Sequence, residues 1–361
     1  MMKKEKLVTL AGGLVIGVIG AILVFFGNPK NMGFCIACFI RDTAGALKLH
    51  GASNVQYIRP EIIGIIIGSF VISLIRKEFR PRSGSSPIIR FLLGMMVMIG
   101  CLMCLGCPFR MALRLAGGDL NALIALTGFA LGIGGGAVFL KKGFSLGRNY
   151  KATAAEGVAM PAIALVLLVI AVTSPSFIAA TAEGKGPGAV HALLAVSLAG
   201  GLIVGSVSAV TRLCMAGGIR DIILLKDTTL ILGFAGVFVS ALITNLILNG
   251  AVGGYFTLGM EGQPIAHTDV LWNILGMYLV GMGSVLLGGC PLRQLVLSGE
   301  GNADSAVTVL GLVVGAAIAH NFGLVSSADG PTAAGKAAVL ICIFVTFIIG
   351  FVYCLKGRKN G

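Results

Sequence analysis

Ten stretches of this chain run for about twenty residues with no more than one charged side chain apiece, at 7–26, 60–75, 89–106, 120–140, 158–179, 189–210, 228–249, 270–289, 304–322 and 336–355. About twenty apolar residues in a helix cross a bilayer core of roughly 30 Å. In lipid every backbone N–H and C=O must be satisfied within the protein, which leaves helices or a closed barrel. A barrel alternates apolar and polar residues in strands of about ten and carries aromatic girdles. This chain has unbroken apolar runs and one Trp. Only 11% of its residues are charged, against about 25% in an ordinary globular domain. A soluble fold is excluded, and the fold class is an all-α polytopic membrane protein. The opening Met-Met-Lys-Lys-Glu-Lys precedes an apolar run with no small-x-small cleavage site before Phe25–Pro29, so it reads as the first span rather than a signal peptide.

In such a protein the net charge of +13 reports topology rather than nucleic-acid binding. With both termini inside, the inside segments collect Lys3, Lys4 and Lys6, then Arg76, Lys77, Arg80, Arg82 and Arg90. Lys141, Lys142, Arg148 and Lys151 follow, and finally Lys356, Arg358 and Lys359. The outside loops 250–269 and 323–335 hold no Lys or Arg. Both termini are therefore expected in the cytoplasm.

Four shorter segments, at 33–48, 107–118, 211–226 and 290–301, are too polar to face lipid, and each contains Gly, Cys and Arg. They repeat. Gly106-Cys107-Pro108-Phe109-Arg110 returns 183 residues later as Gly289-Cys290-Pro291-Leu292-Arg293. Cys35-Ile36-Ala37-Cys38-Phe39-Ile40-Arg41-Asp42 returns 179 residues later as Cys214-Met215-Ala216-Gly217-Gly218-Ile219-Arg220-Asp221. Two membrane repeats, 1–180 and 181–361, are expected. Five spans per repeat is an odd number, so the second enters the membrane inverted, with its site between the halves.

Irregular backbone at membrane depth is tolerated only where it lines an enclosed cavity. About seven extended residues from Asn28 to Phe34 reach halfway into the core, and a helix from near Cys35 then climbs back. The Cys-Pro pairs fit the same plan, because Pro is favoured at the first helical position. They are re-entrant tips or breaks in a span. Four helix N-termini then meet a central pathway, each with free N–H groups and partial positive charge suited to an anion. Cys35, Cys107, Cys214 and Cys290 present sulfur there, with Arg110 and Arg293 one turn beyond their cysteines. Arg41 with Asp42, and Arg220 with Asp221, are structural or pathway charge pairs. An Arg inside a membrane segment costs roughly 2.5–3.5 kcal/mol on insertion scales, so none of these is ornamental.

Other features read as packing. Cys342 and Cys354 are small apolar fillers. Gly132-Ile133-Gly134-Gly135-Gly136 lacks the strand and Lys-Ser/Thr of a nucleotide loop and suits close helix contact. The four histidines have no ligand spacing. Cys101-x-x-Cys104-x-x-Cys107 imitates a cluster ligand run, yet Ser284 and Leu287 stand at the corresponding places of the repeat. Met95, Met96, Met98 and Met103 with thiolates would suit Cu(I), but arginines at the same tips repel a cation. No metal, cofactor or catalytic residue is expected.

The paired Gly-Cys-Pro-x-Arg and Cys…Ile-Arg-Asp motifs resemble those of the YeeE/YedE family of sulfur-transport membrane proteins, most closely its YedE branch, described as selenium transporters. The likeness runs from Gly33-Phe34-Cys35 to Gly299-Glu300-Gly301-Asn302-Ala303-Asp304. It implies an hourglass of inverted halves in the bacterial inner membrane, passing thiosulfate or a selenium species inward. Cys107 and Cys290 match the relay positions best, then Cys35 and Cys214, while Cys38 faces Gly217 in the repeat. A TusA-like cytoplasmic carrier is the implied partner. The main alternative is a membrane thiol oxidoreductase working through a Cys pair.

Overall fold

The computed structural model describes residues 2–359, with side chains from 3 to 355; those of Lys356, Arg358 and Lys359 lie outside it. Seven helices precede residue 180: α1 (Met2–Phe25), α2 (Ile36–Ala46), α3 (Pro60–Ile75), α4 (Pro87–Met103), α5 (Pro108–Ala116), α6 (Leu120–Lys141) and α7 (Ala154–Thr173). Seven follow it: α8 (Leu194–Thr211), α9 (Met215–Leu225), α10 (Thr229–Ala251), α11 (Val270–Leu287), α12 (Pro291–Gly299), α13 (Ala303–Asn321) and α14 (Ala333–Lys359). Among the described residues, nine helical segments are long and apolar enough to cross a membrane, and α3 is a shorter apolar helix. Large side chains such as Leu131, Val169 and Phe344 are exposed on them, as lipid-facing residues are.

Several ends differ from the sequence expectation for local reasons. α7 was expected over 158–179 but starts earlier, where Thr153 and Glu156 form a capping box. It stops at Thr173, because Ser174 turns left-handed ahead of Pro175. α8 begins five residues inside the expected 189–210, since a 3-10 turn at Pro187–Ala189 and an extended stretch occupy its start. α4 ends at Met103 instead of running to Gly106, where Leu105 adopts a φ of 55°.

The halves interlock. α1 packs along α10 and α3 along α8, while α4 packs along α13 and α6 along α11. In each half the first helix therefore lies on the third of the other, and the fourth on the sixth. Small residues make these crossings close. A Cβ on Gly132 would run into the Tyr278 carbonyl, and one on Gly315 into the Met95 backbone. Gly132 and Gly315 are the pair that the 183-residue repeat relates.

The basic loops gather at one end of the bundle. Arg82–Ser83 (β1) pairs antiparallel with Tyr150–Lys151 (β2), Arg80 N–H donates to Glu300 O, and Lys6 Nζ donates to Thr228 Oγ1. At the other end Gln56 meets Thr181, Asn321 meets Leu49, and Thr257 N–H donates to Gly117 O.

Candidate functional site

All four short helices begin in the same way. Cys35 is the N-cap of α2, Cys107 of α5, Cys214 of α9 and Cys290 of α12. The N-cap preference for small side chains with an acceptor is met by sulfur in two of them. Cys38 N–H donates to Cys35 Sγ at 3.4 Å, and Gly217 N–H donates to Cys214 Sγ at 3.2 Å. Cys107 and Cys290 make no such cap, and Pro108 and Pro291 fill the first helical position, where the missing N–H costs nothing. Each half thus brings one capping cysteine to one Cys-Pro cysteine. Cys35 Sγ and Cys107 Sγ lie 3.9 Å apart, and so do Cys214 Sγ and Cys290 Sγ. All four are buried free thiols.

The first-half tip carries a third sulfur. Cys38 Sγ donates to Leu105 O at 3.6 Å and lies 4.0 Å from Arg110 Nη1; the second half has Gly217 there. Arg110 is fully buried and its guanidinium is spent on carbonyls. Nε donates to Asn31 O at 3.2 Å, Nη2 to Ile265 O at 3.2 Å, and Nη1 to Leu105 O. Among the described residues no carboxylate pairs with it, so its positive charge stays beside the cysteines, met mainly by backbone carbonyls. Arg293, its counterpart, is part-exposed and paired with Glu300 at 3.1 Å. The two arginines share a sequence position but not an environment.

Arg41 and Asp42 are joined at 2.6 Å, and Asp42 accepts a second cation the motif did not name. Arg59, fully buried at the start of α3, reaches Asp42 Oδ2 at 2.8 Å, donates to Pro187 O and Val190 O, and sits 4.3 Å over the Phe39 ring. Arg220 and Asp221 pair at 2.8 Å but are part-exposed. The matched sequences serve a buried cluster in one half and a boundary pair in the other.

Sequence reasoning missed two further polar sites. Arg114 Nε and Asp119 Oδ2 form a fully buried ion pair at 2.6 Å that closes α5 onto α6. Glu61, fully buried, accepts from Asn28 Nδ2 at 2.7 Å and Ser197 Oγ at 2.8 Å, both on one oxygen. Asn28 also donates to Gly33 O, so Glu61 anchors the descent to the Cys35 tip. The signal was present: Glu61 is the one charge in its apolar stretch, and acids there rarely lack a role.

Cys101 is buried on α4, and Cys104 donates to Asn273 O at 3.3 Å. Among the described residues no group of three or more His, Cys, Asp or Glu is gathered as metal ligands.

Residues 210–354 match the family model described as Sulphur transport. The chain is also similar to the thiosulfate transporter TsuA of Escherichia coli (strain K12), 26% identical over 118 residues. That match covers 33% of this chain and 32% of the relative, so it spans about a third of the relative's length. The matched segment holds α9 and α12 with their N-cap cysteines, so the similarity to the sulphur-transport family model lies over residues 210–354.

Proposed function

We propose that the protein transports a small, soft, sulfur-containing anion such as thiosulfate, or the related selenium species, across the bacterial inner membrane into the cytoplasm. The observation that carries this reading is the pairing of N-cap cysteines at 3.9 Å in each half, within a chain whose second half matches a sulphur-transport model. The substrate route runs past Cys35, Cys38 and Cys107, then past Cys214 and Cys290. The halves 1–180 and 181–361 are inverted copies, and the exchange of helices between them supports that arrangement. Helix N-termini and the uncompensated Arg110 attract negative charge. Thiols offer a polarizable surface and a weak S–H donor to a terminal sulfur or selenium. Weak repeated contacts permit passage, because a site that binds too tightly cannot release its ion. The protein acts as a transporter and not as an enzyme. A TusA-like carrier receiving the ion on the cytoplasmic side is the partner that the family resemblance implies.

Replacing Cys107 or Cys290 by Ala should abolish uptake in cells at normal protein levels, whereas Cys342→Ala and Cys354→Ala should transport almost normally. Retained uptake in a Cys107→Ala/Cys290→Ala double variant contradicts the route. The short Sγ–Sγ distances also favour a second reading, thiol–disulfide exchange through one pair. That reading requires turnover to leave Cys35–Cys107 or Cys214–Cys290 oxidised, which mass spectrometry after non-reducing alkylation detects.

A further inference from the structure

Beneath the second-half tip, at the end where the basic loops gather, lies a cavity of about 330 Å³ lined by Arg80, Arg82, Arg212, Arg293, Glu78 and Glu300. Both carboxylates are already committed, Glu78 to Arg76 at 3.0 Å and Glu300 to Arg293 at 3.1 Å. Arg80, Arg82 and Arg212 have no acidic partner among the described residues, and Arg82 Nε is buried without a hydrogen bond. Burial pulls the Arg82 guanidinium below its usual pKa; Glu300 offsets this, while Arg293 and Arg80 add to it. The backbone that carries two of these arginines is held in place. Arg80 and Arg82 N–H groups donate to Glu300 O and Gly301 O, and Gly84 and Ser85 N–H groups donate to the Asp304 carboxylate. Arg82 is also locked into the β1–β2 pairing. A cavity lined by four guanidinium groups matches an oxyanion. Its volume, on the order of ten water molecules, admits a small ion with part of its hydration shell.

We infer that this basin is a second anion site, for small divalent oxyanions, which selects by charge and not by softness. No cysteine lines it, so sulfate and thiosulfate bind there alike. Arg212 lies two residues before Cys214, and Arg293 three after Cys290, so an ion in the basin stands where cargo leaves the cysteines. If the transport reading holds, sulfate on that side slows thiosulfate exit without being carried itself. That regulatory consequence rests on the proposed function; the binding does not.

The test is calorimetric titration of the purified full-length protein with sodium sulfate at low ionic strength. Wild type binds sulfate with an affinity that falls as salt screens the arginines. Arg82→Gln/Arg212→Gln weakens binding at least tenfold, exposed Arg212→Gln alone weakens it less, and Cys290→Ala leaves it unchanged. Thiosulfate gives a wild-type affinity within a few-fold of sulfate. Failure of wild type to bind sulfate, or equal binding by the double variant shown monodisperse by size exclusion, overturns the site. Sulfate binding with this pattern in a protein that moves no sulfur anion leaves the basin standing and removes the transport reading alone.

Discussion

Asp42 carries more of this fold than its sequence position suggests. It is fully buried and holds Arg41 and Arg59 at 2.6 and 2.8 Å. Removing one partner of a buried ion cluster costs about 3–5 kcal/mol, because the remaining charges are left uncompensated. Asp42→Ala is expected to lower detergent-solubilised melting temperature sharply and to reduce expression. Asp221→Ala, at a part-exposed pair, costs about 1 kcal/mol or less. Comparable losses in the two variants would contradict the difference in burial. The adjacent Arg41-Asp42 was legible because neighbours need no fold to meet. Arg59 was not: it reaches Asp42 only because the chain turns back between α2 and α3. For the same reason the repeat revealed that Arg110 and Arg293 correspond but not that one faces carbonyls and the other Glu300.

At the scale of elements, the short helices were the most legible part of the chain. Cys35, Cys107, Cys214 and Cys290 were expected at helix starts because Pro follows two of them and the segments are too polar for lipid, and each stands at an N-cap. Helix ends were less legible. α7 stops at Thr173 and α8 starts at Leu194 because turn chemistry, not hydropathy, ends them. Helix partners could not be read at all, since apolar faces in lipid carry little information on which helix they meet. Gly132 and Gly315 each receive a neighbouring backbone, whereas Gly134, also in α6, has nothing near the place of a Cβ. Gly132→Leu and Gly315→Leu should each cost about 1–3 kcal/mol through overpacking, and Gly134→Leu close to none. Thermal melts of the three variants check this, and equal melting would refute the assigned helix crossings.

Over the whole molecule, the charge bias and the gathering of basic loops make a directional prediction. In a background without reactive native cysteines, exposed Ser327→Cys should react with an impermeant thiol reagent on intact cells, and exposed Ser145→Cys only after permeabilisation. The reverse pattern would invert the orientation. Gln263, which sits in a Lys- and Arg-free loop, serves poorly as a reporter because its side chain is buried against Thr257 O and Gly259 O. The all-helical membrane architecture was legible from hydropathy alone. The charged basin under the second-half tip was not, because its arginines come from three segments far apart in the chain. The central claim is that a soft anion moves past paired cysteines, and uptake by purified protein in liposomes, without ATP, tests it most directly. Thiosulfate should accumulate to the level its gradient allows and sulfate should not, because sulfate offers the thiols only oxygen; Cys107→Ala should move neither. Equal transport of sulfate and thiosulfate, or thiosulfate uptake undiminished in Cys107→Ala, would contradict the account.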